Sequence, residues 1–204
     1  MRRLLDMAEE KILNMLNDAA QLALKAVDLA IAVYKGEGKA RDVRELASTI
    51  HQIHDEVVEL AMEAIARFNP VATDLRLLRT AMEAAYDLYR IARYAYDVAE
   101  TAEALGVKCP TERVEKTTQV VKEMTQKAVG MILRRDPAPL QEVRKLDDEV
   151  VDREYREALA AAIQNPTPCA VVETLALRFL ERASDHAVYM AEKAHYLATG
   201  QAAP

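Results

Sequence analysis

DLYRIARYAYDVAE, residues 87–100, and FLERASDHAVYMAE, residues 179–192, are two versions of one segment. Leu88, Arg90, Ala95, Ala99 and Glu100 of the first recur as Leu180, Arg182, Ala187, Ala191 and Glu192 of the second. A second pair precedes them at matching places: RDVREL at 41–46 resembles QEVRKL at 141–146. A chain that carries the same unit twice builds two similar bodies rather than one larger mass.

Pro and Gly punctuation says what each unit contains. The breaks GEGK (36–39), FNPVA (68–72), GVKCP (106–110), DPAP (136–139) and NPTPC (165–169) divide the chain into six segments, near 3–35, 39–68, 70–105, 110–135, 138–164 and 167–199. Asn69-Pro70 and Asn165-Pro166 read as a helix N-cap followed by a first-turn proline. With five Gly, seven Pro, no Trp and 51 % hydrophobic residues in 204, the chain is rich in helix formers and has enough apolar surface for a core. Short connections between long helices impose antiparallel neighbours. The expected fold is all-α, a tandem repeat of two antiparallel three-helix bundles, with domains at 1–106 and 107–204.

A formal net charge of -6 argues against nucleic acid as a partner, because non-specific binding to it needs clustered positive charge. No apolar run reaches the roughly 20 uncharged residues that cross a bilayer, and MRRLLDMAEEKILNML has neither the apolar core nor the cleavage site of a signal peptide. The expectation is a cytoplasmic protein with no direct membrane insertion. Cys109 and Cys169 lack CxxC spacing and read by default as buried or reduced thiols. Each stands where a helix begins at the same end of the second bundle, so a disulfide is open.

The chemistry sits on the fifth and sixth segments. Glu181 and Asp185 are four residues apart, as are Asp148 and Asp152, so each pair shares a helix face. On the sixth segment the apolar stripe runs through Val172, Leu175, Phe179, Ala183 and Met190, which turns both acids toward solvent or a partner. Asp152 lies 14 residues before Pro166 and Glu181 lies 15 after it; Asp148 and Asp185 lie 18 before and 19 after. Antiparallel helices therefore bring all four to one layer. Grouped carboxylates repel unless a cation neutralises them, and oxygen-only ligation suits hard ions such as ferric iron, manganese, magnesium or calcium. The competing reading is a solvated face on which Arg153, Arg156, Arg178 and Arg182 supply weak ion pairs.

The first repeat lacks these acids. Tyr89 and Arg93 replace Glu181 and Asp185, and His51 and Ala47 stand level with them across the turn at Pro70. His51, His54 and Asp55 are either a small metal site of their own or hydrogen-bonded surface groups. The tyrosines of the third segment, Tyr86, Tyr89, Tyr94 and Tyr96, read as core packing with hydroxyls at the rim, or, at Tyr89 with Arg93, as a partner surface.

ARFNPVATDLRLLRTAMEAAYDLYRIARYAYD at 66–97 and LERASDHA at 180–187, above all NPVATDLR at 69–76 and the ERxxD pattern at 181–185, resemble the PhoU family of phosphate-uptake regulators. The resemblance spans nearly the whole chain and implies a tandem pair of three-helix bundles. It also implies a metal site, iron in a multinuclear cluster or zinc, manganese or magnesium, on Glu181 and Asp185 with Asp148 and Asp152. Ser184 departs from the family pattern, which has glycine there, and Tyr89 and Arg93 remove the matching site from the first bundle. The implied function is that of a regulatory adaptor, not an enzyme, which negatively regulates uptake through the ATPase of the high-affinity phosphate ABC transporter, and through a sensor histidine kinase where one is present. A homodimer is expected. Neither a Gly-rich phosphate loop, a GxSxG elbow nor a Ser/His/Asp arrangement is present in the sequence. The alternative is a helical oligomerisation scaffold without metal; a ferritin-like metalloenzyme fits poorly, because that fold buries its ligands inside a four-helix bundle.

Overall fold

In α1, Arg2–Tyr34, the residues Ile12, Leu16, Ala19, Ala23, Val27, Ala30 and Tyr34 recur at three- and four-residue spacing, and all are buried. The computed structural model describes residues 2–106 and 108–204. After α1 come α2 (Ala40–Phe68), α3 (Ala72–Leu105), α4 (Glu112–Arg134), α5 (Leu140–Leu146), α6 (Asp152–Gln164) and α7 (Pro168–Thr199), and a π-helical turn at Asp147–Val151 joins α5 to α6 in one interrupted rod. Six rods result, as the punctuation implies, and no strand occurs among the described residues. The expected domain boundary falls at Gly106 and Val107. Gly106 ends α3 in a left-handed conformation (φ +60°) that glycine adopts without penalty, and Val107 lies outside the described residues.

Two capping expectations are corrected. Asn69 does not start α3. It closes α2 in the left-handed region (φ +48°), its N–H bonded to the Ile65 carbonyl, and α3 begins at Ala72. Asn165 likewise follows α6, while Thr167 caps α7 by accepting from the Ala170 N–H at 3.1 Å, with Pro168 in the first turn.

Helices α1, α2 and α3 pack as one bundle, and α4, the α5–α6 rod and α7 as the other. The two are joined side by side through α3 against α7, the most extensive helix pairing in the chain, and through α1 against α4. Helices α2 and α5–α6 therefore lie on the outer faces. Along α3 the buried residues include Ala84, Ala85, Ala92, Ala95 and Ala99, and along α7 Ala183, Ala187, Ala191 and Ala194. Side chains this short let two axes approach closely. Asp87 of α3 is 4 % exposed and accepts from His186 Nδ1 of α7 at 2.7 Å, a polar clamp inside that apolar seam. Tyr86, Tyr94 and Tyr189 surround the imidazole with ring centroids 5.5–6.3 Å away.

Burial of α7 on two sides overturns the single-stripe reading of that helix. Glu181, expected to face outward, is 6 % exposed, and Thr174 is buried with it, whereas Leu175 of the supposed core stripe is 37 % exposed. The cysteine default is corrected too: Cys109, in the connection before α4, is disulfide-bonded to Cys169 at the start of α7, with Cα atoms 5.3 Å apart. On the chain-entropy account, closing a loop of this length (sequence separation 60) stabilises the fold by about 4 kcal/mol.

Replacing His186 by alanine strands a buried carboxylate, so His186→Ala is expected to lower the unfolding free energy by about 3 kcal/mol in urea denaturation. The double variant Asp87→Ala/His186→Ala should lose little more than either single change. Additive losses would show that the two groups are not coupled.

Candidate metal centre and its counterpart in the first bundle

The π-helical turn decides which acids meet. In an α-helix residues four apart share a face; in this turn the Asp152 N–H reaches the Asp147 carbonyl, five residues back. The face that Asp148 would have shared with Asp152 therefore passes to Asp147. Asp147 is half-buried, with Oδ1 enclosed and without a hydrogen-bond partner. Asp148 is exposed, and its carbonyl oxygen accepts from Arg156. Sequence reasoning missed Asp147 because periodicity counted on an unbroken helix turns it away; the run LDDEVVD supplied an adjacent acid but no sign of the extra residue.

Burial, helped by the charges of Asp185, Asp152 and Asp148 and opposed by the Ser184 hydroxyl, pushes the Asp147 carboxyl up to about 6. Asp185 is also raised, chiefly by burial, with Arg182 opposing and Glu181 and Asp152 adding to the rise. Asp147, Asp152 and Asp185 are thus close enough to feel one another across the α6–α7 groove. Glu181 is differently placed. Arg178 Nη1 donates to its Oε2 at 2.6 Å, and Arg182 grips both oxygens at 2.7 and 2.8 Å while reaching Asp185 at 3.1 Å. Two guanidinium groups already balance that carboxylate. The oxygen donors of Asp147, Asp152 and Asp185 suit a hard cation, and the orphaned Oδ1 of Asp147 has an unused lone pair for one. For Glu181 to join them, Arg178 and Arg182 would have to swing away.

At the matching level of the first bundle, α2 runs through without a π-helical turn. Aligning RDVREL with QEVRKL, and allowing for the extra residue, sets Ala47 and His51 in the places of Asp147 and Asp152, with Tyr89 and Arg93 in those of Glu181 and Asp185. The His51 ring stacks on Tyr89 with centroids 4.5 Å apart. Arg93 lies over the Tyr96 ring at 4.7 Å and pairs with Asp97 at 2.8 Å. His51, His54 and Asp55 have ligand atoms within 4.8 Å of one another, the one three-residue group of metal-ligating types to do so among the described residues. His54 Nδ1 lies 3.0 Å from Asp55 Oδ1, so hydrogen bonding already occupies part of that set.

The raised acid at Asp147 fixes the sign of a pH effect. A carboxyl near 6 in the folded chain and near 3.9 when unfolded holds its proton more tightly in the folded state. Stability from this group is therefore present below about pH 4 and lost as pH rises through about 6. In chelator-treated protein, the parent is expected to lose on the order of 2 kcal/mol relative to Asp147→Asn across that interval, read by urea denaturation at a series of pH values. Parallel curves for the two proteins would show that Asp147 is not perturbed.

A family model described as the PhoU domain matches residues 10–102 and 114–194. A phosphate-specific transport system accessory protein PhoU homolog of Pseudomonas aeruginosa is 34 % identical over 173 residues, covering 80 % of this chain and 71 % of that protein. A homolog of the same description from Deinococcus radiodurans is 26 % identical over 92 % of this chain and 91 % of its own length. Among solved structures, PhoU from Pseudomonas aeruginosa superposes with a TM-score of 0.86 at 30 % identity, covering 96 % of this chain and 99 % of that one. The phosphate transport system regulatory protein PhoU from Streptococcus pneumoniae shares the fold, with a TM-score of 0.84 at 18 % identity over 98 % of this chain and 99 % of that one. With the family model covering both halves and relatives aligned along most of the chain, this protein belongs to the PhoU family.

Proposed function

We propose that this chain is an accessory protein of phosphate transport that restrains uptake by docking on the ATPase of a high-affinity phosphate ABC transporter, and on a sensor histidine kinase where one is present. The observation that carries this reading is the match along nearly the whole chain, in sequence and in fold, to proteins described as phosphate-specific transport system accessory proteins. Among the described residues no helix is long and apolar enough to cross a membrane, so contact with a transporter runs through a membrane-associated partner. Tyr89 and Arg93, at one level on α3, form part of the docking face, and the working unit is a homodimer in the cytoplasm. Such a role needs shaped surfaces and no nucleophile.

The second bundle holds a cation in this reading. Asp147, Asp152 and Asp185 are its ligands, Asp148 and Glu181 lie at its margin, and the ion is a hard one such as iron, manganese or magnesium. When bound it neutralises the acids of the α6–α7 groove and ties the two helices together. Zinc fits less well, because no His or Cys joins the set.

Co-purification of the full chain with the transporter ATPase, at high and at low phosphate, tests the role. Capture that changes with phosphate and drops at least tenfold in Tyr89→Ala/Arg93→Ala is the expected result. No capture at either level overturns the docking reading. Metal analysis of protein purified without chelator tests the cation. The parent should carry metal and show a melting temperature raised by the added ion, and Asp147→Asn/Asp185→Asn should do neither; equal metal in both proteins overturns it.

A further inference from the structure

Where the second bundle gathers acids, the first has an open cavity of about 430 Å³ whose lining includes Arg44, Ser48, His51, Tyr89, Arg93 and Tyr96. The two layers correspond residue by residue and differ in sign. Every acid of the second layer is gone: Ala47, Ser48, His51, Tyr89 and Arg93 stand for Asp147, Asp148, Asp152, Glu181 and Asp185.

A second difference leaves a guanidinium unspent. In the second bundle Arg144 reaches Glu192 at 2.6 Å. The corresponding pair in the first bundle is Arg44 and Glu100, and there Tyr96 donates its hydroxyl to Glu100 instead. Among the described residues no carboxylate lies within 4.0 Å of the Arg44 guanidinium, which is exposed at the cavity's edge. Arg93 is half committed: its Nη1 pairs with Asp97, which leaves the other donors of its planar fork. His51 is held against Tyr89 by stacking and lies 4.0 Å from Asp55. Two guanidinium groups, an imidazole and the hydroxyls of Ser48 and Tyr89 are therefore gathered at one cavity with one lining acid, Glu100, that is itself hydrogen-bonded. The chain as a whole is acidic, so this concentration runs against its average.

Guanidinium forks and hydroxyl donors match tetrahedral oxyanions, and the cavity volume lies in the range of small-molecule sites. We propose that this cavity binds a phosphoryl dianion, with Arg44 and Arg93 holding its oxygens, Ser48 and Tyr89 donating from their hydroxyls, and the stacked His51 and Tyr89 rings forming one wall. The dianion is either free phosphate or the phosphate of a small ester, and in both cases the recognised chemistry is the same. The cavity shares Tyr89 and Arg93 with the proposed docking face, but small-anion binding is read without the ATPase: failure of the parent chain to capture the ATPase leaves the anion proposal standing, and so does absence of metal from the second bundle.

Isothermal titration calorimetry of the full chain at pH 7 and low salt, with a chelator present, tests it with two probes, inorganic phosphate and adenosine monophosphate. Saturable binding of at least one probe, at one per chain, is expected. Arg44→Gln and Arg93→Gln should each weaken it at least about tenfold, the usual loss when one charge-assisted donor is removed. Asp147→Asn/Asp152→Asn should leave it unchanged. Phosphate alone binding as tightly as the ester assigns the site to the free anion, and a clear preference for adenosine monophosphate assigns it to an ester. Arg44 is exposed and without an ion pair, so Arg44→Gln carries the test even if Arg93→Gln melts early by circular dichroism. No saturable binding of either probe, equal binding in Arg44→Gln, or loss of binding in the second-bundle variant overturns the proposal.

Discussion

The seam between α3 and α7 is the contact on which the rest of the structure depends. Each of these helices completes its own bundle, and each also forms the wall against which the other bundle rests. Alanine on both sides brings the axes together, and the Asp87–His186 pair sets their register, since a buried carboxylate that finds its donor at 2.7 Å in only one alignment penalises any slide along an otherwise uniform apolar stripe. Apolar burial supplies the bulk of the stabilisation and does not discriminate between registers; the polar pair does.

That seam also sits beside both candidate sites. Asp87 is two residues from Tyr89, and His186 follows Asp185 directly. The acids of one layer and the basic cavity of the other are therefore carried on the two helices that are clamped together. A helix locked on two sides makes a stiff support, and stiff supports hold ligand groups at fixed separation better than loops do. Glu181, five residues before His186, lies well round α7 from the α3 contact, and Arg178 and Arg182 supply the charge balance that its burial demands.

Two copies of one unit thus carry opposite chemistry at equivalent places. In the second copy an extra residue in the outer helix opens a π-helical turn and directs Asp147 inward beside Asp152. In the first the outer helix is regular, and His51, Arg44 and Arg93 meet around a cavity instead. The proposed cation affinity of the one and anion affinity of the other both rest on local charge and hydrogen-bond capacity within one repeated fold.

Much of this was legible in the sequence, and the gaps have physical causes. The six rods, their antiparallel order and the tandem repeat follow from Pro and Gly placement and from the paired segments at 87–100 and 179–192. The loss of acids from the first layer is plain at Tyr89 and Arg93. Periodicity, however, assumes a constant number of residues per turn, and a single π-helical turn breaks that assumption without leaving a Pro or Gly to mark it; hence Asp148 was expected where Asp147 stands. A one-stripe reading of α7 assumes one packing surface, whereas α7 packs against α3 and against its own bundle, so the stripe read from the sequence did not foresee the burial of Glu181. The cavity was hidden for a third reason. Arg44 looks like one more charge on an exposed helix until the fate of its partner is known, and only the Tyr96–Glu100 hydrogen bond shows that the ion pair made by Arg144 in the other repeat is not made here.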